Sequence, residues 1–218
     1  MVTELQDMSG GRPEASDVYH YYQRLLEESW MSEALCWTVV VPHDGRPMTL
    51  TEIGDRVSGG AGYHAYETAS FEDEEDYLVS SEDSDWAMLV DHSGPLTALL
   101  EYNGFRGVHD PVLPRLSVGG RAYSAFWNVN ANNRISCAVD GEMVLSFDTT
   151  FIEDWIEEPG LARWPELRAM VPYFDWQNGQ SWRAAMLTVI ELATGARLTE
   201  GWTEEERSYL TSQEATTG

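Results

Sequence analysis

Lysine is missing from this chain. Its 218 residues carry thirteen cationic side chains, every one an arginine, against 37 carboxylates, which sets the formal charge at −24. A field of that sign repels the phosphates of nucleic acids and of anionic lipid surfaces, so direct nucleic-acid binding and membrane binding are not expected. Without lysine the phosphate loop G-x-x-x-x-G-K-[ST] cannot occur, and no G-x-G-x-x-G leads from a strand into a helix. Cysteine is scarce too. Cys36 and Cys137 lie in separate apolar runs, too few for a disulfide framework or a zinc cluster, and both are expected to be buried and reduced. No uncharged apolar run approaches the ~20 residues that cross a bilayer. Glu4 and Asp7 stand where a secretory leader would carry basic residues, so a cytoplasmic location is expected.

The machinery of common enzymes is sparse as well. There is no H-E-x-x-H, no pair of helical histidines four apart and no C-x-x-C, so no metal or cofactor site is expected. Three of the five histidines neighbour an aspartate, as His43-Asp44, Asp91-His92 and His109-Asp110. Sequence neighbours in a strand point apart and do not form a dyad by spacing. No G-x-S-x-G occurs, and Ser124 and Ser136 fall inside strands. No nucleophile, base and orienter are brought together, so the chain reads as non-enzymatic.

What the sequence does hold is a pattern of helices around an antiparallel sheet. After a loose tail over 1–13, Ser16 or Asp17 is the expected cap of a helix whose stripe is Val18, Tyr22, Leu25, Leu26 and Trp30. ALCWTVVVP over 34–42 is a β-rich run closed by proline. Thr49 or Thr51 can cap a short helix ended by Gly59. WAMLVDH and LTALLEYNGF read as a hairpin, and Asp110-Pro111 opens a short helix over 112–118. RAYSAFWNV then alternates, sending Ala122, Ser124, Phe126 and Asn128 to one face and Tyr123, Ala125, Trp127 and Val129 to the other. With turns at 130–133 and at Asp140-Gly141, residues 121–148 predict a three-stranded antiparallel meander. Helices are expected over 161–171, from Ser181 to Gly195, and from the Thr203-Glu206 capping box through Tyr209. The fold class is therefore α+β, with an antiparallel sheet of five or six strands flanked by helices in one domain over 14–210 and a tail over 211–218.

Charge is unevenly spread. Between Arg56 and Arg106 no cation interrupts eleven acids, and residues 63–85 read as an exposed, mobile acidic insert. Its block Glu72, Asp73, Glu74, Glu75 and Asp76 is the candidate surface for a basic partner. A second candidate is a pocket against the meander, lined by Arg121, Trp127, Asn128, Asn130 and Asp148, where an indole and amide donors lie close in sequence.

The motifs LCWTVV, LLEYNGFRG, GGRAYSAFWNVN, SFD and ELATGARLT resemble an uncharacterised domain family common in actinobacterial genomes, over roughly residues 30–200. That resemblance implies a bacterial protein and no particular activity, and the acidic insert is not a feature of it. The leading expectation is a protein-interaction protein with an immunity, regulatory or defence-associated partner. The alternatives are a ligand-binding domain or enzyme with a pocket against the meander, and a nucleic-acid mimic.

Overall fold

A computed structural model describes residues 14–69, 86–92, 94–102, 104–157, 159–175 and 181–212. Eight strands form one antiparallel sheet: β1 (Leu35–Pro42), β2 (Tyr63–Ala69), β3 (Ala87–Asp91), β4 (Thr97–Glu101), β5 (Gly120–Trp127), β6 (Asn133–Val139), β7 (Glu142–Phe147) and β8 (Arg207–Ser212). Their spatial order is β2-β8-β3-β4-β1-β5-β6-β7. The helices are α1 (Ala15–Glu27), α2 (Leu50–Ser58), α3 (Val112–Leu116), α4 (Ile152–Trp155), α5 (Pro159–Ala162), α6 (Pro165–Met170) and α7 (Ser181–Thr194).

Alternation along each strand divides the core. Leu35, Trp37, Val39, Leu89, Leu100, Tyr123, Ala125, Trp127, Ile135 and Phe147 face a layer built from α1, α6 and α7. Val40, Met88, Val90, Leu99, Ala122, Ala138 and Leu210 face α2 and α3 on the other side. The first layer is tied by charge as well as by packing: Tyr22 on α1 donates to Glu191 on α7 at 2.7 Å, and Arg197 donates to the same carboxylate through Nε at 2.9 Å. On the second side α2 and α3 satisfy each other's carboxyl ends. Arg56 donates to Leu116 O and Val118 O, while Arg115 donates to Arg56 O and Val57 O, which fills acceptors that a helix terminus leaves open.

Several sequence expectations hold. Thr49 and Glu52 form a capping box at α2, and Gly59 closes that helix at φ +67°. The meander is present, with Arg121↔Val139 to Trp127↔Asn133 in its first pair. Its second turn places Asp140 at φ 51° and Gly141 at φ 88°, the primed geometry that suits a two-residue hairpin. Both cysteines are buried and free.

The strand count needs correction: eight rather than five or six. One extra strand is β2, whose Tyr63–Ala69 begins the stretch read as an acidic insert; residues 70–85, including Glu72 to Asp76, lie outside the described residues. The other is β8. Residues 203–209 read as a capped helix, yet a 3-10 turn covers Glu200–Thr203 and Arg207–Ser212 is a strand running two residues past the expected domain end. Two ladders, to β2 and to β3, outweigh the local helix signal. Helix α1 starts at Ala15 without a side-chain cap, so Ser16 and Asp17 fall within its first turn. Residues 161–171 are divided by Pro165 into α5, α6 and a 3-10 turn over Val171–Tyr173, because a proline interrupts the ladder of the turn before it.

Candidate functional site

The two sides of the sheet differ where β1, β5, β6 and β7 run together. Towards α1 and α7 these strands are mostly apolar, Arg121 at the start of β5 apart, but on the opposite side Thr38, Ser124, Ser136 and Ser146 stand directly across from one another on the four successive strands. Thr38 and Ser124 share a hydrogen bond of 2.7 Å, and Ser136 and Ser146 one of 2.8 Å. Small hydroxyls leave a shallow floor here. Beyond it, over Phe126 and Arg134, opens a cleft of about 510 Å³ lined by Phe105, Val108, His109, Asp110, Phe126, Asn128, Asn132, Asn133, Arg134 and Asp148.

Asn133 builds one end of this cleft. Its Nδ2 donates to Asp148 Oδ1 at 2.8 Å and its Oδ1 accepts from the Thr149 N–H and hydroxyl at 2.8 and 2.7 Å, which joins the start of β6 to the segment after β7. Asn128 Oδ1 accepts from the N–H groups of Asn130 and Asn132 at 3.0 and 3.1 Å and so shapes the hairpin turn. Arg134 spends Nη1 on Ser146 Oγ at 3.0 Å. Among the described residues the side-chain groups left without a protein partner are Asn128 Nδ2, the Asn132 side-chain amide, Arg134 Nε and Nη2, the His109 imidazole, the Asp110 carboxylate and Asp148 Oδ2. Beside them stands Phe105, in the wall at 59% exposure.

The other wall is the segment 104–110, a 3-10 turn over Arg106–Val108 and its flanks. Val108 packs with Cys36 and Phe126. Beneath it lies Glu101, 1% exposed, with Oε2 accepting from the Arg106 N–H at 2.9 Å and Oε1 from the Gly107 N–H at 2.7 Å. Burial pushes this carboxyl up to about 7 despite the two amides. Burial also raises the Cys36 thiol well above its ordinary value, so it stays protonated and offers no thiolate nucleophile.

Of the candidate ligand residues, Asn128 and Asp148 come together at the cleft. The other three are elsewhere. Arg121 is at the far end of β5 beside Tyr123. Trp127 is buried on the opposite side of the sheet and donates to Met31 O at 2.8 Å. Asn130 is exposed in the turn, where its N–H closes the Asn128 loop. Nothing in the sequence singles out Phe105, Arg134 or Glu101, while His109-Asp110 reads from its spacing as a chance pair and Ser124 and Ser136 as strand residues, without the row they form with Thr38 and Ser146. The row was hidden by a register shift between Cys137 and Ala138 that breaks simple counting from the Asp140-Gly141 turn.

No helix among the described residues is long and apolar enough to cross a membrane, and these residues hold no group of three or more His, Cys, Asp or Glu side chains placed for a metal. No curated protein and no solved structure matches the chain. Its residues 14–208 match the model of a family described as "Family of unknown function (DUF6461)", a span that begins one residue before α1 and ends within β8. With the match covering nearly the whole sheet and both helical layers, the chain belongs to that family of unknown function.

Proposed function

We propose that this protein is a protein-interaction module that receives a basic segment of its partner in the cleft over β5 and β6. The observation that carries the reading is the gathering, at one end of one side of the sheet, of unpartnered polar side chains in a cleft whose wall holds the exposed ring of Phe105 and the side chains of Val108 and Phe126. Apolar residues standing in a polar rim mark an interaction surface rather than a solvated face. Charge selects the partner: Asp110 and Asp148 face the cleft against one cation, Arg134, and the chain's −24 favours an arginine- or lysine-rich segment carrying one aromatic or aliphatic anchor.

A panel of short peptides tests this. Basic peptides with one aromatic residue bind in the micromolar range, acidic peptides of equal length do not, and Phe105→Ser combined with Asp110→Asn weakens binding roughly tenfold or more. Equal affinity of the double variant, or a preference for acidic peptides, rejects the reading. An enzymatic or small-ligand role for the same cleft would show as binding of compounds that lack a basic group.

A further inference from the structure

Glu101 is a carboxyl with little to hold its charge. It ends β4 opposite Cys36, is sealed from water, and among the described residues forms no ion pair. The charged and titratable groups around it are Cys36 of β1, whose thiol stays neutral, and Arg106 of the overlying turn. Arg106 spends its guanidinium elsewhere: Nη2 donates to Val57 O at 3.4 Å, and the group lies over the Trp86 ring at 5.9 Å. The segment 104–110 sits on Glu101 without slack. A Cβ at Gly104 would come within 2.6 Å of Glu101 Oε2, and one at Gly107 would run into Thr38 Oγ1, so only glycine lets the backbone approach this closely. Four cleft residues, Phe105, Val108, His109 and Asp110, ride on this segment.

We propose that Glu101 is the positioning residue of the cleft wall and couples its closure to a proton: segment 104–110 lies closed over the neutral carboxyl, and ionisation opens it and loosens the binding surface. The physical reason is that an ionised, unpaired carboxylate regains hydration when the turn lifts, whereas the neutral acid loses little by staying buried. Two backbone N–H donors moderate that cost without removing it, in keeping with a carboxyl raised to about 7. By linkage the state with the higher proton affinity, the closed one, is favoured as pH falls; opening gains roughly tenfold per pH unit between the carboxyl's ordinary value of 4.5 and about 7 and levels off above, where both states are ionised. The link to partner binding rests on the cleft reading above; the gate itself does not.

The gate is tested first in the free protein. Amide proton shifts of Arg106 and Gly107, followed by NMR from pH 5 to 9, should titrate together with a midpoint near 7, and their hydrogen exchange, corrected for intrinsic base catalysis, should speed up as pH rises to that midpoint and level off above it. In Glu101→Gln, an isostere of the neutral acid, both effects should vanish. Amides that show no such titration in the wild-type protein overturn the proposal whether or not the variant folds. The second arm uses an acetylated peptide whose only charges are arginines, so that the peptide does not titrate. Wild-type affinity should fall several-fold more between pH 6 and 8.5 than that of Glu101→Gln, which retains every other cleft residue. Equal affinities of the wild type at the two pH values overturn the coupling. A titrating wall with no peptide bound at any pH would sustain the gate and reject the cleft reading.

Discussion

Glu101 and Asn133 are two buried polar side chains that a sequence gives no reason to pick out from 37 acids and a run of asparagines. Each has a measurable consequence. For Glu101 the folded-state value of about 7 lies above the ordinary 4.5, so its contribution favours folding fully below about 4.5 and is lost as pH rises through about 7. At ~1.4 kcal/mol per pH unit the loss comes to about 3 kcal/mol. Urea denaturation at pH 5 and pH 8 should show this difference in the wild type and little of it in Glu101→Gln; the other carboxylates are shared by both proteins. Asn133→Ala removes the acceptor of two Thr149 bonds and the donor to Asp148, and should cost about 2–3 kcal/mol by leaving those groups unpaired. An Asn133→Ala protein as stable as the wild type would show that the segment after β7 is held by other contacts. Asn128 and Asp148 were legible because the meander brings turn and strand end together. Phe105, His109 and Asp110 were not, because they reach the cleft on a segment whose path depends on the burial of Glu101.

Elements whose signals are local were the readable ones. The meander follows from strict alternation and from Asp140-Gly141, the capping box of α2 from four consecutive residues, and the stripe of α1 from its spacing as far as Leu26, Trp30 falling beyond the helix in a 3-10 turn. Gly141→Ala, at φ 88°, should cost about 1 kcal/mol or more, read as a shift in denaturation midpoint. Strand β8 was unreadable for the converse reason: its partners lie over a hundred residues earlier, and Thr203 to Glu206 imitate a helix start. Its placement inside the sheet, between β2 and β3, makes a sharp prediction. Leu210 is fully buried between the sheet and α2, and Leu210→Ala should destabilise the fold by about 3 kcal/mol. A negligible loss would mean that the last strand is dispensable, in conflict with its two ladders to β2 and β3. Helix 161–171 failed as a single element because the apolar spacing continued through Pro165 while the backbone could not.

Taken as one charged body, the protein projects −24, and three of its thirteen arginines are already engaged with acids: Arg46 with Glu52, Arg197 with Glu191, Arg207 with Asp91 and Glu205. Little positive charge is left to draw acidic partners, so association with a basic segment should be fast at low salt and weaken several-fold from about 50 mM to about 500 mM NaCl as the field is screened. Salt-independent binding would place the energy in the apolar contacts alone. The composition made this field legible without any structure; which part of the surface uses it was not, since the cleft is assembled from four separate stretches of chain. The most direct measurement is therefore a map. Titrating isotopically labelled protein with an acetylated arginine-rich peptide bearing one aromatic residue, the account predicts amide shift changes confined to residues 104–110, 126–134 and 146–151. Changes centred instead on α1 and α7, or on no contiguous surface, would contradict it.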